Sequence, residues 1–325
     1  MSLKTLILIF VNSLVWVLNS VSFWQVGVKM PGYPVFANWI GILPYMIFIP
    51  FIYRDFRKPF IWQLHLWFVL YALLSSIDSV LEILADSSTG GVVQAVCSAA
   101  IPIPFTAILS RIIFKRQFTI WEIVGSLIVI VASGLLIFES EGVYVTWWLA
   151  GYIVGLLLGC IYTIIWEYLF KVYDVEILSL MAWTTLYSLP LYFVSIFIDG
   201  KNVWVKEQGG FQCFFELLPL PPNCLSGAWI PLTIYMLSSV VSDIVQMYFV
   251  RNDSAYFLII ADTLTTPLTS VIISFSFIFG NSAESLTWYS IVACVLVVVG
   301  ILIYKMGDDA WKWIRRRSSN EYLLQ

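Results

Sequence analysis

Four carboxylates sit in the middle of stretches that are otherwise apolar: Asp78, Glu82, Asp243 and Asp262. In hydrocarbon an ionisable side chain costs from about 2.5 to over 10 kcal/mol unless it faces a wet cavity or a partner. Asp78 and Glu82 are one helical turn apart and so share a face. Two acids that close cannot both ionise cheaply, so one of them is expected to bind and release a proton. Asp262 is followed by Thr263, Thr265 and Thr266, and Gln94 and Ser98 add further polar groups. No Lys or Arg lies in the middle of any apolar run to neutralise these acids. Such a set attracts cationic or zwitterionic solutes and protons. The competing reading of each acid is a buried structural hydrogen-bonding group.

Other polar groups fall at helical spacing. Asn12, Trp16 and Asn19 make one face, and Tyr162, Trp166 and Tyr168 cluster on another segment. Asn12, Asn19, Gln94, Ser98, Tyr162 and Trp166 are therefore candidate cavity-lining residues. Pro102, Pro104 and Pro267 interrupt their runs, which is tolerated where helices line a cavity. Gly90 and Gly91 allow close packing or a hinge. Glu122 and Glu167 lie near run ends and read as interfacial, as does His65 between Trp62 and Trp67. The chain has one His and no CxxC or HExxH spacing, so no metal site is expected. It has no Walker A motif and no nucleophile–base pair. Neither an enzyme nor a bound cofactor is expected.

The elements that position these residues follow from composition. The chain has 325 residues, 60% hydrophobic and 11% charged, with mean hydropathy +0.90. A soluble domain carries about 25% charged residues, so half that amount could not cover a soluble surface. The chain is too apolar for disorder, and a net charge of −3 without a basic stripe disfavours nucleic acid. The apolar runs are continuous rather than alternating, which disfavours an outer-membrane barrel. Ten runs of the length that spans hydrocarbon as a helix are expected, near 5–28, 33–53, 61–84, 91–114, 119–138, 145–168, 177–198, 229–250, 255–279 and 285–304. The first run is too long for a signal peptide and is kept as a span.

Placing the N-terminus in the cytosol puts 14 of the 17 Lys and Arg on the cytosolic side, leaving Lys29, Lys201 and Lys206 opposite. Both termini are then cytosolic. Cys213 and Cys224 fall in the long non-cytosolic loop 199–228, where a disulfide is allowed. Cys97, Cys160 and Cys294 fall inside runs.

An internal repeat carries more information than any one residue. Pro102 follows Asp78 by 24 positions, and Pro267 follows Asp243 by 24. Thr119, Ile123, Val124 and Gly134–Phe138 parallel Thr287, Ile291, Val292 and Gly300–Tyr304 across a two-residue gap. The fold expected is an all-α membrane protein with ten transmembrane helices in a 5+5 inverted-topology repeat. Its first half is 1–144, its second 145–306 including loop 199–228, and 307–325 is a cytosolic tail. Two such halves imply alternating access about a midplane site.

Along most of its length the sequence resembles the chloroquine-resistance-transporter-like family of the drug/metabolite transporter superfamily. The likeness rests on Asp78, on Thr89-Gly90 with Gln94 before Ile101-Pro102-Ile103-Pro104, on the loop ending Cys224-Leu-Ser-Gly-Ala-Trp229, and on Asp243. The resemblance implies proton-coupled export of amino acids, short peptides or weak-base drugs from an acidic vacuole or lysosome-like organelle. It implies Asp78 and Asp243 as cavity acids, Gln94 as a lining residue, and a Cys213–Cys224 loop disulfide. The partners implied are a small-molecule solute, protons and lipid, with a monomer as the unit. A nucleotide-sugar exchanger would need basic groups for phosphate, and a non-transporting receptor or scaffold has no use for paired mid-membrane acids.

Overall fold

The computed structural model describes residues 3–31, 33–55, 61–86, 97–135, 147–195, 197, 203–218, 220–221, 224–275 and 288–322. Among these residues the chain is helical, with no strand. The helices are α1 (Leu3–Lys29), α2 (Pro34–Ile40), α3 (Ile52–Asp55), α4 (Trp62–Asp86), α5 (Pro102–Phe114), α6 (Ile120–Gly134), α7 (Trp147–Val172), α8 (Ile177–Ser195), α9 (Val203–Phe214), α10 (Trp229–Asn252), α11 (Ala255–Asp262), α12 (Thr265–Ile273) and α13 (Trp288–Tyr322). Among the described residues eight stretches are long and apolar enough to cross a membrane, and Val35–Phe51 and Ile120–Gly134 are shorter apolar helices. The protein is a multi-pass helical membrane protein.

Among the described residues three expected runs are broken, each beside a proline, the fourth run at Ile101 just before Pro102. The run 33–53 divides into α2, a 3-10 segment Leu43–Phe51 and α3. Pro44 and Pro50 lack the N–H that a continuous α-helix would need there, and the tighter 3-10 pitch takes over. The ninth run divides at Thr263–Leu264, between α11 and α12, just before Pro267. The Thr263 hydroxyl turns back to the Ile260 carbonyl (2.6 Å) at this break.

On α1, Leu6, Phe10, Leu14 and Leu18 recur every fourth residue and stay exposed, as a lipid-facing stripe would. The opposite side carries the buried Asn12 and Asn19. The Asn19 amide donates to Ser239 Oγ (2.7 Å) and Ser238 Oγ (3.2 Å) on α10. Lys29 donates to the Ser226 carbonyl (2.9 Å), so α1 and α10 run antiparallel. Likewise α4 runs against α7 and alongside α8, where Ser79 meets the Tyr192 hydroxyl (2.8 Å).

Helices in lipid associate by close packing rather than by hiding from water. The clearest case is α6 against α13. A methyl group added at Gly125 would lie 2.6 Å from the Gly300 carbonyl oxygen, and one at Gly300 would lie 2.9 Å from the Gly125 oxygen. Gly300→Val is therefore expected to destabilise the protein by about 1–3 kcal/mol, the usual cost of overpacking. A lowered unfolding midpoint in detergent, with a smaller monodisperse fraction, checks this. An unchanged midpoint contradicts the contact.

One face of the bundle carries the links 115–119, 173–176 and 253–254 and is closed by a dense core that includes Phe68, Leu169, Phe170, Phe249 and Phe257. We call it the basic face. Arg116 binds Ser254, Glu122 and Tyr304 there, Arg251 pairs with Asp174 (2.9 Å), and Lys305 pairs with Asp253. Glu167, expected at an interface, is buried at 2% exposure, pairs with Lys171, and accepts the N–H of Ala255 at the start of α11 (2.9 Å). A carboxylate at a helix N-terminus is favoured by the unpaired N–H groups and the helix dipole.

On the opposite face, Gly209 and Gly210 of α9 press against Tyr33 and Phe36. Cys213 is bonded to Cys224 with Cα atoms 5.7 Å apart, as the loop position allowed. The Leu225 N–H donates to the Lys29 carbonyl (3.0 Å), so the disulfide ties α9 to the junction of α1 and α10. Reduction, or Cys213→Ser with Cys224→Ser, is expected to cost about 2–4 kcal/mol. The unfolding midpoint should fall when the wild type is reduced and should be as low in the double variant, which should no longer respond to reductant.

Candidate functional site

Between the helix halves remote from the basic face lies a cavity of about 630 Å³. Nearly every long helix contributes: Asn19 from α1, Asp78 and Glu82 from α4, Tyr162 and Trp166 from α7, Asp243 from α10 and Asp262 from α11. Among the described lining residues there is no Lys, Arg or His. The four carboxylates found in the sequence therefore share one hollow. Ser98 lines it as well. Asn12 stands behind the wall and donates to Asp262 Oδ1 (2.7 Å). Gln94, Gly90 and Gly91 lie outside the described residues.

The acids are held differently. Asp243 accepts the Tyr45 hydroxyl (2.8 Å), which the broken 3-10 segment presents to α10. Asp262 sits at the last residue of α11, where the break before Pro267 turns the chain toward α1. Asp78 is 5% exposed and lies against α7, where Gly155 and Gly159 leave room for its carboxylate. A methyl at Gly155 would come 2.9 Å from Asp78 Oδ1, and one at Gly159 would come 3.6 Å from Oδ2.

The walls between the acids are aromatic and hydroxylic. Tyr71, Tyr162 and Trp166 form a cluster with ring centroids 5.5–5.7 Å apart. Aromatic faces attract cations by about 0.5–2 kcal/mol each. Tyr45, Tyr192 and Tyr235 and the α8 residues Thr184, Thr185 and Ser188 also line the cavity. Sequence reasoning did not single these out. Thr184, Ser188 and Tyr192 recur at four-residue spacing, and that hydroxyl stripe was the readable signal. His65, expected at an interface, is buried away from the cavity and meets Tyr187 (Nδ1 to hydroxyl oxygen, 3.0 Å) and the Trp183 ring. Among the described residues no group of acids, His and Cys could hold a metal.

A multi-pass bundle enclosing a polar, acid-lined hollow and closed by packing on one face has the build of a membrane carrier. The family profile described as chloroquine-resistance transporter-like matches residues 5–220 and 200–304, and the chain belongs to that family of transporters. It is a membrane transporter and not an enzyme. It is similar to "Crt homolog 1" of Dictyostelium discoideum, 26% identical, with 90% of this chain and 72% of that protein covered. "Crt homolog 3" of the same organism is 23% identical, covering 74% of this chain and 58% of its own length. The "Chloroquine resistance transporter" of Plasmodium falciparum is 20% identical, over 79% of this chain and 66% of that protein. The chain thus spans about three-fifths to three-quarters of these relatives. A solved structure titled "Crystal structure of protein" superposes with TM-score 0.63 at 11% identity, covering 94% of this chain and 98% of that one, a likeness of fold.

Proposed function

We propose that the protein is a secondary active carrier that moves small cationic or zwitterionic solutes, such as amino acids and short peptides, by alternating access. The observation that carries this reading is the cavity holding Asp78, Glu82, Asp243 and Asp262 with no basic side chain among its described lining residues. Phosphate-bearing solutes would meet only repulsion there. Weak bases in their protonated form suit the same hollow, and the name of the Plasmodium relative concerns such a drug.

Ten spans in two inverted halves, 1–144 and 145–306, provide the moving parts in this reading. The helix pairs support it. The α1–α10 pair is mirrored by α7–α4, the α1–α12 pair by α7–α5, and α6 packs on α13 as each other's mate. The excess of Lys and Arg on the basic face supports cytosolic termini. Proton-coupled export toward the cytosol from a vacuole or lysosome-like organelle, by a monomer, completes the reading.

The test is uptake by the purified protein in liposomes, with radiolabelled L-lysine, a dipeptide and a nucleotide sugar as solutes. The expected result is lysine or dipeptide uptake that rises when a pH gradient is imposed, with no nucleotide-sugar uptake. Nucleotide-sugar uptake without lysine or dipeptide uptake would reverse the assignment.

A further inference from the structure

The four acids of the cavity are not equivalent, and the difference is geometric. Asp243 and Asp262 each accept one hydrogen bond from a neutral donor, Tyr45 (2.8 Å) and Asn12 (2.7 Å), and both remain partly exposed to the hollow. Asp78 is 5% exposed; its carboxylate has a side-chain hydrogen bond with Tyr162 of α7, but its Oδ1 is shut off from solvent and has no hydrogen-bond partner among the described residues. That oxygen points at Gly155 of α7, close enough that a methyl group there would be 2.9 Å away. Gly159, one turn on, leaves the matching space for Oδ2.

A buried acceptor without a donor is expensive, and an ionised one more so. An organic ammonium group cannot reach Oδ1 past the α7 backbone. A proton can. We propose that Gly155 and Gly159 form a seat that reserves Asp78 for the proton, leaving Asp243 and Asp262 to meet the solute. This division rests on the carrier reading above and extends it. The step is a simple one: hydronium gives its proton to the Asp78 carboxylate, leaving a carboxyl group and water.

The groups facing Asp78 are consistent with that task. Glu82 stands one turn away on α4, Tyr162 and Cys160 face it from α7, Tyr192 from α8 beyond Ser79, and Asp243 from α10 across the hollow. Ser98 and Pro102 line the α5 side. Among the described lining residues no Lys, Arg or His competes to neutralise the carboxylate.

Infrared difference spectroscopy between mildly acidic and neutral buffer, on the whole protein in liposomes without solute, reads the proton directly. The expected result is a protonated-carboxyl band that disappears in Asp78→Asn and persists in Asp243→Asn. Gly155→Ala should move the band, because the new methyl displaces Oδ1, whereas Gly159→Ala, at ordinary contact distance, should move it little. A band that survives in Asp78→Asn, or no band in the wild type, overturns the proposal. Transport supplies a second readout, the ratio of L-lysine uptake with and without a pH gradient. That ratio should fall to one in Asp78→Asn and stay above one in the residual uptake of Asp243→Asn. If the two variants keep the same ratio, Asp78 is a solute acid and the proposal fails. If the wild type moves no lysine, the carrier reading fails for that solute, and the infrared result still decides this one.

Discussion

Asp243→Asn is expected to lower cation uptake by about tenfold to a hundredfold while leaving the folded, monodisperse protein intact. The substitution keeps the side chain's shape, and the amide oxygen can still accept the Tyr45 hydroxyl that now lies 2.8 Å from the carboxylate. What it removes is the charge that faces the hollow. A hydrogen bond to a charged group contributes about 1.5–3 kcal/mol, and each 1.4 kcal/mol is about a factor of ten. Tyr45→Phe is the informative companion. It leaves the charge and removes a neutral donor, a loss nearer about 1 kcal/mol, so its effect on uptake should be under about tenfold. Initial rates in liposomes, normalised to reconstituted protein, separate the two. Equal losses in both variants would mean that Asp243 acts through its hydrogen bond and not through its charge.

The second large effect is expected at the closed face. Arg116 donates to Ser254 Oγ (2.9 Å), Glu122 Oε1 (2.6 Å) and the Tyr304 hydroxyl (2.9 Å), and its guanidinium lies over the Phe118 ring at 5.2 Å. One side chain thus joins the α5–α6 link, the cap of α11 and the middle of α13. Ser254 in turn caps α11 by accepting the Phe257 N–H (3.2 Å), and the far end of that helix is Asp262 in the cavity. Arg116→Ala takes away the cation paired with Glu122, which keeps its capping bond from the Thr119 N–H (2.8 Å) and its contact with the Tyr304 hydroxyl. Breaking a fully buried pair costs about 3–5 kcal/mol and an exposed one under about 1. With the Arg116 and Glu122 side chains 27% and 16% exposed, an intermediate cost of about 1–2 kcal/mol is expected. That is about a tenfold shift toward opening of this face. Hydrogen exchange across residues 115–122 and 250–258 should speed up accordingly. Arg116→Lys, which keeps the charge but not the planar fork, should fall between. Unchanged exchange in Arg116→Ala would remove this contact from the closure of the face.

The sequence made the acids and the bundle legible for the same reason. In an apolar run a carboxylate stands out, and a run long enough to span hydrocarbon must be helical. The loop cysteines could be read too, since Cys213 and Cys224 fall in one polar segment, and they are joined. The breaks were harder to see. Pro44, Pro50 and Pro267 announce an interruption but not whether the chain kinks, tightens to 3-10 pitch or restarts. Here Pro44 and Pro50 give the 3-10 segment that brings Tyr45 to Asp243. Glu167 misled because position along a helix does not reveal what packs beside it. It looked like an end-of-span acid, and α11 starts on its carboxylate. The seat at Gly155 and Gly159 was invisible for the same reason, being a property of two helices together. Gly155 in a Leu-rich run gives no hint that its neighbour is Asp78.

Side-specific labelling of the cavity tests the carrier account most directly. Ser188→Cys places a thiol on the α8 wall, in a background with Cys97, Cys160 and Cys294 replaced by alanine. In oriented liposomes, a membrane-impermeant thiol reagent should reach it from the α9 face at rest. With L-lysine and a pH gradient supplied, labelling from the basic face should rise while labelling from the α9 face falls. A thiol that is reached from one face alone under every condition would contradict alternating access, and with it the account of this cavity as a carrier's binding site.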